Sequence, residues 1–160
     1  MAALEKTNTM RLLDSLHVIY QVHTFSSEIH SANEVAVTLG IPAERVYKTL
    51  VVLPPKGKPI LAIVPGNAEL DLKKLAAVVG EKKLRMATKV EAESLTGLQV
   101  GGISALALLN KGFRIYIDQS CRNHPAILVS AGKRGVNLQL SPDDLLRVIR
   151  ARPVDIAMIT

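Results

Sequence analysis

The chain has 160 residues, a formal net charge of +6 and one cysteine, Cys121, which fits a single domain over residues 1–160, excludes an internal disulfide and suits a reducing, cytoplasmic setting. No run reaches the ~18 apolar residues of a membrane span, so no membrane association is expected. Hydrophobic residues make up 48% but aromatics only 3%, with no Trp, so the core must be built from Leu, Val, Ile and Ala.

In chain order, Met10, Leu12, Leu13, Leu16 and Ile19 recur near the helical period behind Thr7, Asn8 or Thr9 as N-cap, which predicts a first helix. Ser31 and Glu34 make a capping box for a short helix through Val35, Ala36 and Leu39 that stops at Gly40. After Pro42 the β-branched run from Tyr47 to Leu53 predicts a strand, with Lys48 at its start. Pro54-Pro55-Lys56-Gly57-Lys58-Pro59 cannot continue a ladder and predicts a hairpin loop returning along Ile60 to Val64. Leu72 to Val79 predicts a helix closed by Gly80, Leu84 to Ala87 a short strand, and Thr88 with Glu91 a capped helix ending at Gly97. Strands are predicted at Arg114–Asp118, Ala126–Ser130 and Val136–Leu140, the last two joined by a turn over Ala131–Gly135. Ser141-Pro142-Asp143-Asp144 opens a final helix carrying Leu145, Leu146, Val148 and Ile149. Hairpins mixed with helices predict an α/β or α+β domain with a mixed sheet.

Chemistry concentrates at Thr96-Gly97-Leu98-Gln99-Val100-Gly101-Gly102-Ile103-Ser104 and at Lys48. Adjacent glycines between apolar residues pack poorly inside a strand or helix, but they let successive amides converge on one oxygen, and Ser104 can add a hydroxyl. The same pair also suits a simple turn or bulge, and a lysine at a strand start is commonly just solvated. Lys73, Lys74, Lys82, Lys83, Arg85 and Lys89 face only Glu81 between residues 73 and 89, a pattern that fits either a phosphate backbone or a solvated face. The rings Phe25, Phe113, Tyr20, Tyr47 and Tyr116 are too scattered for a base-stacking platform. Cys121 and His124 supply two potential zinc ligands, but His17, His23 and His30 lack matching spacing, so no metal is expected. No Gly-x-Ser-x-Gly elbow, Ser-His-Asp order, Walker or Rossmann spacing is present, which argues against an acyl-enzyme and against a nucleotide cofactor.

An ordered set of motifs carries a resemblance. It comprises Lys6 to Asp14, Tyr47-Lys48-Thr49-Leu50-Val51, Leu70 to Ala76, the Thr-Gly loop ending in Gly101-Gly102-Ile103-Ser104, Ile117-Asp118, and Val129-Ser130-Ala131-Gly132-Lys133-Arg134-Gly135. Together these resemble the YbaK-type aminoacyl-tRNA deacylases, free-standing relatives of the editing domain inserted in bacterial prolyl-tRNA synthetase, from Lys6 to about Ile149. The resemblance implies a strongly curved, barrel-like mixed sheet surrounded by helices, and hydrolysis of the ester of a mischarged tRNA, Cys-tRNA(Pro) foremost. It places Lys48 at the essential lysine, in contact with the tRNA 3′ end. It places Gly101, Gly102, Ile103 and Ser104 in the loop lining the aminoacyl pocket, with Phe25, Asp118 and Ser130 as further pocket positions. Lys73, Lys74, Lys82, Lys83 and Arg85 are then tRNA-binding candidates, with the tRNA acceptor end and prolyl-tRNA synthetase as partners and no cofactor. Catalysis by orientation follows: glycine amides hold the carbonyl while water or the substrate's own thiol attacks it.

The chain departs from the family pattern where Ala105-Leu106-Ala107 replaces Pro-Leu-Gly, and where Leu98 and Phe25 stand in place of tyrosine or a similar ring. Those changes leave two competing expectations: a deacylase for another small amino acid such as Ala, or a non-catalytic module that binds the tRNA acceptor or prolyl-tRNA synthetase.

Overall fold

The computed structural model describes residues 5–159. Its helices are α1 (Asn8–Ser15), α2 (Ala32–Leu39), α3 (Leu72–Val79), α4 (Lys89–Thr96) and α5 (Pro142–Ile149). The strands are β1 (Tyr20–Thr24), β2 (Tyr47–Leu53), β3 (Ile60–Pro65), β4 (Ala68–Leu70), β5 (Arg85–Met86), β6 (Arg114–Asp118), β7 (Ile127–Ser130), β8 (Val136–Leu140), β9 (Arg152–Val154) and β10 (Ala157–Ile159). Each helix starts where a side chain satisfies its first free amides: Thr7, Ser31, Asp71, Thr88 and Ser141 all accept from backbone N–H groups, and Thr88 and Glu91 complete the reciprocal capping box.

Strands run β5-β2-β3-β6-β9 in a mixed five-stranded sheet, β1-β8-β7 in an antiparallel one, and β10-β4 in a two-stranded ribbon. The expected α/β architecture with a mixed sheet is present. The expected barrel-like closure is not: none of these sheets closes among the described residues, and a single parallel bridge, Val46 to Leu128, joins the first two. Short strands explain the open form, since β5 and β9 span only two and three residues and cannot carry a ladder around.

The five-stranded sheet is covered on both faces. Tyr47, Val51, Leu61, Ile63, Ile115 and Ile117 pack into one apolar cluster with α1, α5 and the three-stranded sheet. Val52, Ile60, Ala62, Val64 and Tyr116 pack into another with Leu75 of α3 and Ile156. Every residue of β3 is buried, so this strand reads as an unbroken apolar run, and each fully buried Ile or Leu contributes about 1.5–3 kcal/mol.

The N-terminal pattern misleads. Helix α1 stops at Ser15, His17 takes a left-handed φ of +58°, and Ile19, expected on the helix core face, is 85% exposed before β1 begins. Strands β4, β9 and β10 and the 3-10 helix Leu106–Lys111 carry no period that the sequence reveals.

Candidate active site

Alternation along β2 puts Lys48 on the same face as Leu50 and Val52. Its neighbour across the ladder is Val64. Lys48 is half-buried and forms no ion pair with a described residue. Burial lowers its ammonium pKa below the ordinary lysine value, and the charge of Glu69 offsets this in part. Lys48 lines a cavity of about 190 Å³ that is also lined by Thr49, Gly66, Val100, Gly101, Ile103, Ser130, Asn137 and the first turn of α2.

Gly97 closes α4 in a left-handed conformation, and the loop beyond it is tied down bond by bond. The Val100 amide donates to Glu93 Oε2 (2.8 Å), Arg134 Nε donates to the Val100 carbonyl (2.7 Å), and the Gly102 amide donates to the Gln99 carbonyl (2.8 Å). Gly101 has φ +93°, and a Cβ there would lie 2.3 Å from His30 Cβ. A Cβ on Gly102 would lie 2.8 Å from the Arg134 amide nitrogen. Both glycines are therefore dictated by close approach, the first to the entry of α2 and the second to the Lys133–Arg134 turn. Of the two amides expected to converge on one oxygen, that of Gly102 donates inside the turn, whereas the Gly101 amide has no acceptor among the backbone hydrogen bonds of the described loops.

The remaining expected pocket residues divide. Ile103, 7% exposed, forms part of the wall, and Ser130 lines the cavity while its Oγ accepts from the Gly132 amide (3.1 Å). Ser104 is 2% exposed and turns away, its Oγ accepting from the Ala107 amide at the start of the 3-10 helix. Phe25 packs on the Val35, Ala36, Val46 and Leu128 cluster rather than at the cavity. Asp118 does not line the cavity either: Oδ1 accepts from the Ile156 and Ala157 amides (3.0 and 2.9 Å) and Oδ2 from the Ser120 amide (3.1 Å), so it ties β6 to the C-terminal segment. Asn137 was not singled out by sequence, yet it is 6% exposed, opposes Ser130 in the ladder and lines the cavity. An amide between Val136 and Leu138 in a strand was the available signal.

Lys73, Lys82, Lys83 and Arg85 line a separate groove of about 400 Å³ floored by Leu53, Leu72 and Leu84. Five strand residues separate Lys48 from Leu53, roughly 17 Å. Lys74 is paired with Asp155 (3.1 Å) and Arg85 with Glu91 (2.7 Å). Among the described residues no three His, Cys, Asp or Glu side chains cluster as a metal site. Cys121 is buried, and burial pushes its thiol up to about 11. No helix of the described residues is long and apolar enough to cross a membrane.

Comparison with known proteins meets this geometry. A family model described as "Aminoacyl-tRNA editing domain" matches residues 26–148. A protein of Enterococcus faecalis, EbsC, provisionally named a Cys-tRNA(Pro)/Cys-tRNA(Cys) deacylase, is 41% identical over 154 residues, covering 95% of this chain and 93% of its own. A proline–tRNA ligase of Nitratidesulfovibrio vulgaris is 32% identical over 69% of this chain, which spans only 19% of that enzyme. Among solved structures, one described as a provisional trans-editing enzyme for prolyl tRNA synthetase superposes with a TM-score of 0.79 at 26% identity, covering 96% of this chain and 99% of the other. The chain belongs to the aminoacyl-tRNA editing domain family.

Proposed function

We propose that the protein is a trans-editing aminoacyl-tRNA deacylase that hydrolyses the ester of tRNA carrying a wrong, small amino acid, Cys-tRNA(Pro) foremost. The observation that carries this reading is the meeting of Lys48 and Gly101 in one cavity of about 190 Å³. Such a volume is below the ~300 Å³ at which drug-sized ligand sites begin, so it suits a small aminoacyl group and not a whole nucleotide. The name of the Enterococcus faecalis relative supports cysteine as that group.

In this reading the Gly101 amide and the Lys48 ammonium hold the charge that develops at the ester carbonyl and at the terminal ribose and phosphate. Attack by water gives free amino acid and a tRNA with a free 3′ hydroxyl. Attack by the substrate's own thiol gives a cysteine thiolactone and the same tRNA, with the thiol proton passing to the leaving oxygen. Orientation of this kind supplies up to roughly 7–11 kcal/mol in ideal geometry, which removes the need for a dedicated base. The lysine-rich groove at the far end of β2 supports a contact with the RNA beyond its 3′ end. Association with prolyl-tRNA synthetase would supply the identity of the tRNA to be edited.

The test is decay of Cys-tRNA(Pro) and Ala-tRNA(Pro) with and without protein. Faster decay of one or both, lost in Lys48→Ala, is expected. If neither ester decays faster than its blank, the protein is instead a binding module that keeps the fold without the reaction.

A further inference from the structure

We infer that Arg114, Arg150 and Arg152 form a second phosphate-binding surface for the RNA arm of the substrate, distinct from both the cavity and the lysine-rich groove. The inference rests on the reading that the substrate is a charged tRNA. The three arginines rim a cavity of about 580 Å³ whose wall includes Leu108, Phe113 and Val148 and no carboxylate. All three are exposed, and none is ion-paired with a described residue. Lys58 brings a fourth cation to the rim: its Nζ donates to the Lys111 carbonyl (2.9 Å), beside Gly112 of the same wall. Like charges gathered without a counter-charge repel one another, a cost that an arriving polyanion reverses. Guanidinium groups suit phosphate oxygens because their fork matches two of them at once.

A second observation is independent of charge. Among the described residues four α-helices end in a left-handed C-cap, and three of them use glycine there: Gly40, Gly80 and Gly97. The fourth, α5, places Arg150 in that conformation, at φ +53°. A side chain at such a position is sterically disfavoured where glycine is not, so steric fit alone favours glycine at the position that here carries a guanidinium.

Position fits the RNA. Arg152 opposes Tyr116 in the β6–β9 ladder and Arg114 lies two residues earlier on β6, which puts their Cα atoms roughly 8 Å apart. Arg114 is in register with Ile60, and Lys48 with Val64. Four residues along the sheet and two strands across it separate Lys48 from Arg114, roughly 16 Å. At ~3.4 Å per stacked nucleotide of one strand that is about five nucleotides. With the 3′ ester at Lys48, the arginines therefore meet the backbone where the acceptor arm begins.

The test compares wild type, Arg150→Gly and the triple variant Arg114→Gln, Arg150→Gly, Arg152→Gln. Binding of uncharged tRNA is followed by fluorescence anisotropy from 50 to 300 mM salt, and deacylation is followed with charged tRNA and with a charged three-nucleotide CCA fragment too short to span the distance. In the triple variant the tRNA Kd and KM should rise about tenfold to a hundredfold, with the slope of log affinity against log salt shallower by about 2 to 3. Turnover of the fragment should stay within about twofold. Arg150→Gly should unfold at the same or a higher temperature while binding tRNA more weakly. Unchanged tRNA binding and salt slope in the triple variant overturn the inference, as does an Arg150→Gly protein that loses stability but keeps its tRNA affinity. A wild type inert on both esters defeats the functional reading instead, and the anisotropy series still decides on the arginines.

Discussion

Replacing Gly101 by alanine isolates the role of the loop. The added Cβ would stand 2.3 Å from His30 Cβ and 2.9 Å from His30 Cα, atoms fixed to the backbone at the entry of α2, and φ is +93°. Carbon atoms rest at ~3.5–4.0 Å, so the loop and the α2 entry must separate by roughly 1.5 Å. Overpacking of this kind costs about 1–3 kcal/mol, and the left-handed backbone adds about 1–2 kcal/mol for a residue with a side chain. A misplacement of about 1 Å can cost a hundredfold in rate. Gly97→Ala is the control: its φ is +74° but its Cβ meets nothing within 4 Å, so it should pay only the backbone term. Thermal unfolding and kcat/KM for Cys-tRNA(Pro) are to be measured on all three proteins. Gly97→Ala should lose about 1–2 kcal/mol, or roughly 2–8 °C, with kcat/KM within about threefold of wild type. Gly101→Ala should lose about 2–5 kcal/mol, and its folded fraction about a hundredfold in kcat/KM. If folded Gly101→Ala keeps kcat/KM within about twofold, the loop does not position the ester and the reasoning fails.

Burial lowers the Lys48 pKa, so a deacylation that needs the ammonium should fall with rising pH before an ordinary lysine titrates, once base-promoted background decay is subtracted. Lys48→Arg should carry that decline to higher pH, and a flat profile in wild type would remove the charge from the mechanism. Asp118→Ala should destabilise by about 2–4 kcal/mol, because three buried or half-buried amides lose their acceptor, while kcat/KM per folded molecule stays within about twofold. A rate loss without a stability loss would return Asp118 to the active site. The Glu91 carboxyl is held at about 2 by Arg85, with help from the Thr88 amide, against an ordinary 4.5. Its folded pKa is depressed, so its contribution is complete above 4.5 and is lost as pH falls toward 2. Glu91→Gln should flatten that part of the stability-versus-pH curve, and an unaltered acid limb would show the pair to be inert.

Helix starts were legible because their chemistry is local: Ser31, Thr88 and Ser141 sit at fixed offsets from the amides they accept, and Gly40, Gly80 and Gly97 end helices within the same few residues. The paired runs of β2 and β3 were legible for the same reason. Strand β1 was not, since Leu16 and Ile19 continue a helical spacing that a left-handed His17 interrupts, and nothing nearby announces a partner 116 residues away in Gln139, which bonds His23. The site divided along the same line. Lys48 and Gly101 line one cavity, whereas Asp118 and Ser104 accept from backbone amides. Asn137 escaped notice because one carboxamide in an apolar strand has no spacing partner, and its cavity exists only once β7 and β8 pair.

The cavity has walls of unequal stiffness. Lys48 stands on a strand laddered to β3 along most of its length, while the opposite side is an unpaired loop held by a few side-chain contacts, among them Glu93 and Arg134. Substitutions in the loop can reshape the space offered to an acyl group without disturbing the cation beneath it. On the proposed reading, loop substitutions therefore alter selectivity among acyl groups while Lys48 stays in place.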